Sequence, residues 1–254
     1  MLLKHFFIPL SNYLAMNLII DIGNSGTKLA LYDKSKCILT TKYKSPTLRL
    51  LTDFTSGYNI TGIILSSVGN KPTGPERFAH SVSARFVELT HKTKLPFKIS
   101  YLTPETLGTD RIAAIAGVFK MFPGAKSLVI DAGTAITFDL IERDTYLGGN
   151  ISPGIDMRFR ALNRFTRRLP LLERRPEYPM PGKDTASAIV AGVIEGIVYE
   201  INEYIRTFEE KYRGINVVIT GGDGLFLRER LNEKCIYSPE IVTDGLNYIL
   251  ECNA

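Results

Sequence analysis

Short apolar runs alternate along the chain with longer stretches whose apolar residues recur at helical spacing. Residues 17–21, "NLIID", and 27–33, "TKLALYD", read as buried strands joined by a glycine turn, and 61–68 and 96–102 as further strands. In "DRIAAIAGVFKMF", Ile112, Ile115, Ala116 and Phe119 fall on one helical stripe. After Pro123-Gly124 the strand pattern restarts at 127–131 and 136–141, and helices are predicted at 154–168 and 184–212. A strand at 216–220 and a glycine-led helix from about 224 complete an α/β chain.

The two strand restarts superimpose. "IIDIGNSGTKLALYD" and "VIDAGTAITFDLIE" share two apolar residues, an aspartate, a spacer and a glycine, then a polar turn and a second apolar strand. Asp21 and Asp131 hold equivalent places, 131 − 21 = 110 residues apart. Each match opens what reads as one half of the protein, which predicts a duplicated domain with aspartates facing a cleft between the halves. The expected organisation is an N-terminal extension at 1–15, a first domain at 16–123 and a second at 124–254.

Composition narrows this picture. A chain of 254 residues with 44% hydrophobic content can bury a sizeable core. Cys37, Cys235 and Cys252 are odd in number and lack metal-ligand spacing, so neither a disulfide framework nor a zinc site is supported and a reducing cytoplasm fits. The net charge of +5 suits an anionic ligand but does not by itself indicate nucleic acid. In "MLLKHFFIPLSNYLA" the apolar run is broken by Pro9, Ser11 and Asn12, too soon for a signal peptide or a membrane span. Met16 directly precedes the first strand, so these residues read as an upstream-start extension or a floppy arm. No other segment is expected to cross a bilayer.

Candidate chemistry gathers at the glycine turns. Gly23 and Gly26 let a ligand approach the backbone of the first hairpin closely, and phosphate oxygens suit the N–H groups there. Asn24, Ser25 and Thr27 add neutral donors, Lys28 a positive charge, and Asp21 can hold magnesium directly or through water. An ordinary Asn/Gly/Ser turn with Asp21 satisfied by backbone amides explains the same residues. The second half repeats the pattern in "DAGTAITFD", where Thr134 supplies a hydroxyl, and "ITGGDGLF" (219–226) adds a strand, a glycine-rich turn and a helix start. Neither GxxxxGK[ST] nor GxGxxG is present.

Taken in order, DxGNSxxK at Asp21–Lys28, GTDR at Gly108–Arg111, DAGTAxTxD at Asp131–Asp139, GGxIxPG at Gly148–Gly154 and TGGDG at Thr220–Gly224 resemble the type III pantothenate kinases. These belong to the superfamily of acetate and sugar kinases, heat-shock chaperones and actin. The motifs span essentially everything after residue 16. The resemblance implies two duplicated ribonuclease-H-like (actin-like ATPase) domains with mixed sheets flanked by helices and an ATP cleft between them. It implies transfer of the γ-phosphate of ATP to pantothenate, the first step toward coenzyme A, by a cytoplasmic homodimer needing magnesium and a monovalent cation such as potassium or ammonium.

Carried over by position, the resemblance gives Asp21, Ile22, Gly23, Asn24, Ser25, Gly26, Thr27, Lys28 and Thr134 to ATP. It gives Asp131 to the monovalent cation and Asp21 to magnesium. Tyr101, Gly108, Thr109, Asp110, Arg111 and Thr185 go to pantothenate, with Asp110 as proton acceptor. Two departures stand out: Ser25 where threonine is frequent, and "TRRLP" where a small residue usually precedes the basic one.

Blander readings run beside these roles. Asp110 and Thr185 could each cap a helix. Arginines 158, 160, 164, 167, 168, 174 and 175 read as a solvated helix face opposite Ile155, Phe159 and Leu162. The apolar residues of 185–197 exceed one stripe, which suggests a dimer contact or a helix sandwiched in its own domain. An ATP-binding conformational switch without turnover is the alternative function. A nucleic-acid-binding regulator lacks a helix-turn-helix or an aromatic-interleaved basic stretch.

Overall fold

A computed structural model of the chain describes residues 14–69 and 72–254. Residues 1–13 of the expected extension lie outside the described residues. Two compact units are present, the first ending at Glu88 and the second running Leu89–Ala254.

The first unit contains β1 (Ala15–Gly23), β2 (Gly26–Asp33), β3 (Lys36–Tyr43), α1 (Leu48–Phe54), β4 (Asn59–Ser67), α2 (Gly74–Ser81) and β5 (Arg85–Glu88). Its sheet runs β3-β2-β1-β4-β5, with β1 antiparallel to β2 and parallel to β4. Leu18, Ile20, Leu29, Leu31, Ile63 and Leu65 form the core face, onto which Leu51 and Phe78 pack from the helices. Their near-continuous apolar runs are those of strands covered on their faces.

The second unit contains β6 (Lys98–Ile99), a 3₁₀ turn (Pro104–Thr106), α3 (Thr109–Met121), β7 (Lys126–Ala132), β8 (Ala135–Glu142) and β9 (Thr145–Pro153). It continues with α4 (Ile155–Phe165), α5 (Thr185–Tyr212), β10 (Asn216–Thr220), α6 (Gly224–Arg228), β11 (Ile236–Tyr237) and α7 (Ile241–Cys252). The sheet order β11-β10-β7-β8-β9-β6, read from the other edge, repeats that of the first unit with β6 added outside. As in the first unit, the opening strand β7 is antiparallel to the next (β8) and parallel to the one after the helical connection (β10). The duplication read from two aspartates is therefore a repeat of the whole sheet, in a mixed α/β fold.

Side chains alternate across β7, so its two faces meet different helices. Leu128 and Ile130 join Phe138, Phe159, Val190, Ile194 and Ile197 in a core built with α4 and α5. α3 packs on α7 and against β7 and β8. A Cβ on Gly117 would lie 2.1 Å from Ile241 O, and one on Gly245 1.9 Å from Ala113 O, so both glycines are needed for this approach. That packing keeps α3 with the second unit, and the division falls after Glu88, not after residue 123.

Burial bears on two readings of α5. By length and composition α5 could cross a membrane, yet Val190, Ile194, Ile197 and Ile201 are fully buried within its own unit, as in a core helix. The same burial removes the excess of apolar residues on this helix as a reason to invoke a partner. The "GGNISPG" segment is strand up to Pro153.

Candidate active site

β1 does not end at its aspartate. It continues to Gly23, with Asp21 beside Lys28 of β2 and Ser66 of β4, and Asn24-Ser25 form the two-residue turn to Gly26. Gly23, Asn24 and Ser25 are exposed at this tip, while Thr27 is buried. Gly26 has φ of 142° and a Cβ there would lie 2.8 Å from Tyr43 O, so only glycine fits. The tip presents backbone and small polar groups, the form suited to anionic oxygens.

In the second unit Asp131 occupies the equivalent place, paired with Thr137 and Thr220. Glycines let two further segments close on the turn that follows it. A Cβ on Gly221, whose φ is 91°, would lie 2.5 Å from Asp131 Oδ1 and 2.3 Å from Ala132 O. One on Gly154 would lie 2.2 Å from Gly133 O and 2.5 Å from Thr134 O. Backbone bonds fix the same contacts: Asp223 N donates to Ala132 O at 2.9 Å, and Gly154 N to Thr134 O at 3.1 Å. The "SPG" and "TGGDG" motifs thus both pack against the "DAGTA" turn, and Gly221 of the latter comes close to the Asp131 carboxylate. Among the described residues, no group of three or more His, Cys, Asp or Glu side chains is placed to hold a metal.

The start of α3 carries the second cluster. Its N-cap is Gly108, with no side-chain cap, which removes Asp110 from that role. Asp110 stands in the first turn and its Oδ1 accepts from Arg111 N at 2.8 Å. A Cβ on Gly108 would lie 2.4 Å from that oxygen, so the glycine makes room for the carboxylate to fold back over the helix start. Burial is the main cause that pushes the Asp110 carboxyl above its ordinary range; the Arg111 amide opposes this and the Asp139 charge adds to it.

Arg111 is 6% exposed and anchored to Asp139, which is fully buried on β8. Its Nε donates to Asp139 Oδ1 at 2.9 Å, and Nη2 to the same oxygen at 2.6 Å and to the Tyr146 hydroxyl at 2.9 Å. The Tyr146 hydroxyl donates in turn to Asp139 Oδ1 at 2.7 Å. Burial alone would lower the guanidinium's proton affinity, but the bonds to Asp139 reverse that and raise it. Burial and the Asp139 charge together push the Tyr146 phenol up, so it stays a neutral donor.

Tyr101 completes this cluster. It follows β6, whose pairing with β9 includes the Ser100 N to Tyr146 O bond at 2.9 Å. The Arg111 guanidinium lies 5.7 Å over its ring, and the ring stacks on Tyr146 at 6.1 Å. Gly148, with φ of 120°, and Gly149 form the strand beneath; a Cβ on Gly149 would lie 2.5 Å from Asp139 Oδ1 and 2.9 Å from Arg111 Nη2. Sequence reasoning singled out Asp110, Arg111 and Tyr101 but gave no role to Asp139 or Tyr146. Two glycines inside a strand were the available signal for a close approach.

Thr185 is exposed at the first position of α5. Capping belongs to Asp184, whose Oδ1 accepts from Ser187 N at 2.8 Å while Ser187 Oγ accepts from Asp184 N at 3.0 Å. These bonds hold the Asp184 carboxyl below its ordinary range. Thr185 also lines an open groove of about 710 Å³ between α4 and α5, with Arg158, Leu162, Ala188, Ile189 and Val193.

Comparison with known proteins bears on the family and the fold. A family model described as type III pantothenate kinase matches residues 17–207. A type III pantothenate kinase of Phocaeicola vulgatus is 41% identical over 239 residues, covering 94% of this chain and 99% of the relative. Among solved structures, a conserved Campylobacter jejuni protein assigned to the Baf family of transcriptional activators has a TM-score of 0.60 at 25% identity, covering 93% of this chain and 98% of that one. A ROK family glucokinase from Streptomyces griseus has a TM-score of 0.51 at 10% identity, covering 94% of this chain and 99% of that one, and shows the shared fold alone. The chain belongs to the type III pantothenate kinase family, phosphotransferases that phosphorylate pantothenate at the expense of ATP.

Proposed function

We propose that Asp110 is the general base of this kinase, orienting the primary hydroxyl of pantothenate and taking its proton as the γ-phosphoryl group arrives. The observation that carries this reading is the Asp110 carboxylate itself: it is folded over Gly108 by the Arg111 amide, with its pKa raised above the ordinary range. A raised pKa brings a carboxylate nearer the operating pH, where a base both accepts a proton and is available to do so. Phosphoryl transfer otherwise depends on positioning and neutralised charge. Tyr101, Gly108, Thr109, Arg111 and Thr185 hold the acceptor in this scheme.

The hairpin from Asp21 to Lys28, exposed at Gly23, Asn24 and Ser25, holds the ATP phosphates, and Thr134 contacts the same nucleotide. Asp131 is assigned to a monovalent cation, since a single carboxylate suits a weakly held ion of low charge. Magnesium near Asp21 offsets phosphate charge when bound. The protein works in the cytoplasm as a homodimer, a second copy covering the groove beside Thr185. An ATP-driven switch would have no use for a base at Asp110.

The test is ADP release by the purified chain with ATP and a panel of small hydroxylated acceptors. Pantothenate is expected to stand out, and Asp110→Asn to abolish the signal while ATP still binds. Near-normal turnover by that variant would remove Asp110 from the reaction.

A further inference from the structure

The proton arrangement around Asp139 is directional. Tyr146 has one hydroxyl proton and gives it to Asp139 Oδ1, while its oxygen accepts from Arg111 Nη2. The guanidinium is thereby held through Nε and Nη2, with a further side-chain interaction with Tyr101. Folding alone does not call for such a device, because apolar residues of similar volume often stabilise a core as well as a buried ion pair does. The surrounding chain is nonetheless shaped for it: Gly149 gives up its side chain to Asp139 and Arg111, and Tyr101 stacks on Tyr146 on one side and under Arg111 on the other.

We infer that Asp139 and Tyr146 are positioning residues for the phosphoryl transfer, holding the Arg111 guanidinium and the Tyr101 ring in the orientation that pantothenate meets. The inference rests on the roles proposed above for Arg111, Tyr101 and Asp110. Both residues act through Arg111 and are not themselves assigned to the substrate. Tyr146 then sharpens acceptor binding, and Asp139 also sets the field at the base. The charged groups that act on the Asp110 carboxyl are Asp139 from β8 and Arg111 from its own helix.

Tyr146→Phe keeps the ring and its stacking but removes the hydroxyl. We expect the KM for pantothenate to rise roughly tenfold, as for loss of a hydrogen bond to a charged group. The KM for ATP should stay within about twofold, and circular dichroism should be unchanged. Asp139→Asn removes a negative charge that raises the Asp110 pKa, so the acid limb of kcat/KM for pantothenate should move to lower pH. Should Asp139→Asn fail to fold, Tyr146→Phe decides. Unchanged constants for both substrates in Tyr146→Phe, with or without a lower Tm, would overturn the inference and leave a purely structural clip. An unmoved acid limb in folded Asp139→Asn would overturn its second part. Retained turnover in Asp110→Asn would remove the base assignment instead, and the pantothenate KM of Tyr146→Phe would still decide the positioning role.

Discussion

At Asp110 the proposed function and stability pull against each other. Its carboxyl binds a proton more tightly in the fold than in the unfolded chain, mainly because it is buried. Stability is therefore lost as pH rises from the unfolded value of about 3.9 through the raised folded value, and the loss is complete above both. Asp110→Asn should melt at a higher temperature than the parent at neutral pH, with the difference vanishing below about pH 4. The same variant should lose about 10²- to 10⁴-fold in kcat, the usual share of a general base. Calorimetry across pH beside single-turnover kinetics checks both. Asp139 has the opposite balance: taking it away leaves Arg111 buried and unpaired, so Asp139→Ala should lose about 3–5 kcal/mol, read by denaturant unfolding.

At the scale of elements, α3 is the part that carries Asp110, the proposed base, and α7 is what holds α3. Gly245→Ala would drive a methyl into Ala113 O, so the two helices must separate. A loss of about 1–3 kcal/mol is expected from such overpacking, and kcat should fall because Asp110 moves with α3. A chemical melt paired with a rate measurement separates these effects. The arginine run, read in sequence as a solvated face, divides in the fold. Arg158 pairs with Glu200 and Arg174 with Asp223 of the "TGGDG" loop, while Arg160, Arg164, Arg167, Arg168 and Arg175 are exposed. Arg174 also lies 5.0 Å over Phe226, whose ring Arg230 covers at 3.7 Å while donating to Pro176 O at 2.9 Å. Residues 166–184, without regular structure, are thus strapped to α6. Single partly exposed pairs contribute little, so Arg174→Ala should change stability by no more than about 1 kcal/mol.

For the whole molecule, charge is the controlling quantity. In the proposed scheme the ATP phosphates bring several negative oxygens, which repel one another and any nearby carboxylate unless cations intervene. Rates should therefore depend on potassium or ammonium, and equal activity in sodium-only buffer would remove Asp131 from that role. Light scattering at micromolar concentration should report twice the 28.3 kDa chain mass. A monomer with full pantothenate turnover would exclude the second copy from the site.

Much of this was legible in one dimension because it rests on local rules. Continuous apolar runs mark strands covered on both faces, and an apolar-apolar-Asp-x-Gly pattern repeated at Asp21 and Asp131 foretold the duplicated sheets. Motif order placed Asp110 and Arg111 at a helix start, where they stand. Short or half-exposed elements left no such trace: β3, β5, β11, α1 and α2 have few buried residues to set a period. β9 and α7 went unread because glycines interrupt them, and those glycines serve contacts with remote segments. The sequence by itself determined the fold class, the repeat and the family's motifs. Only the tertiary structure decided that Asp139 and Tyr146 enclose Arg111, that Asp184 and not Thr185 caps α5, and that α3 belongs with α7. Each of these depends on which distant backbone comes within a few ångströms, and local spacing carries no information about that distance.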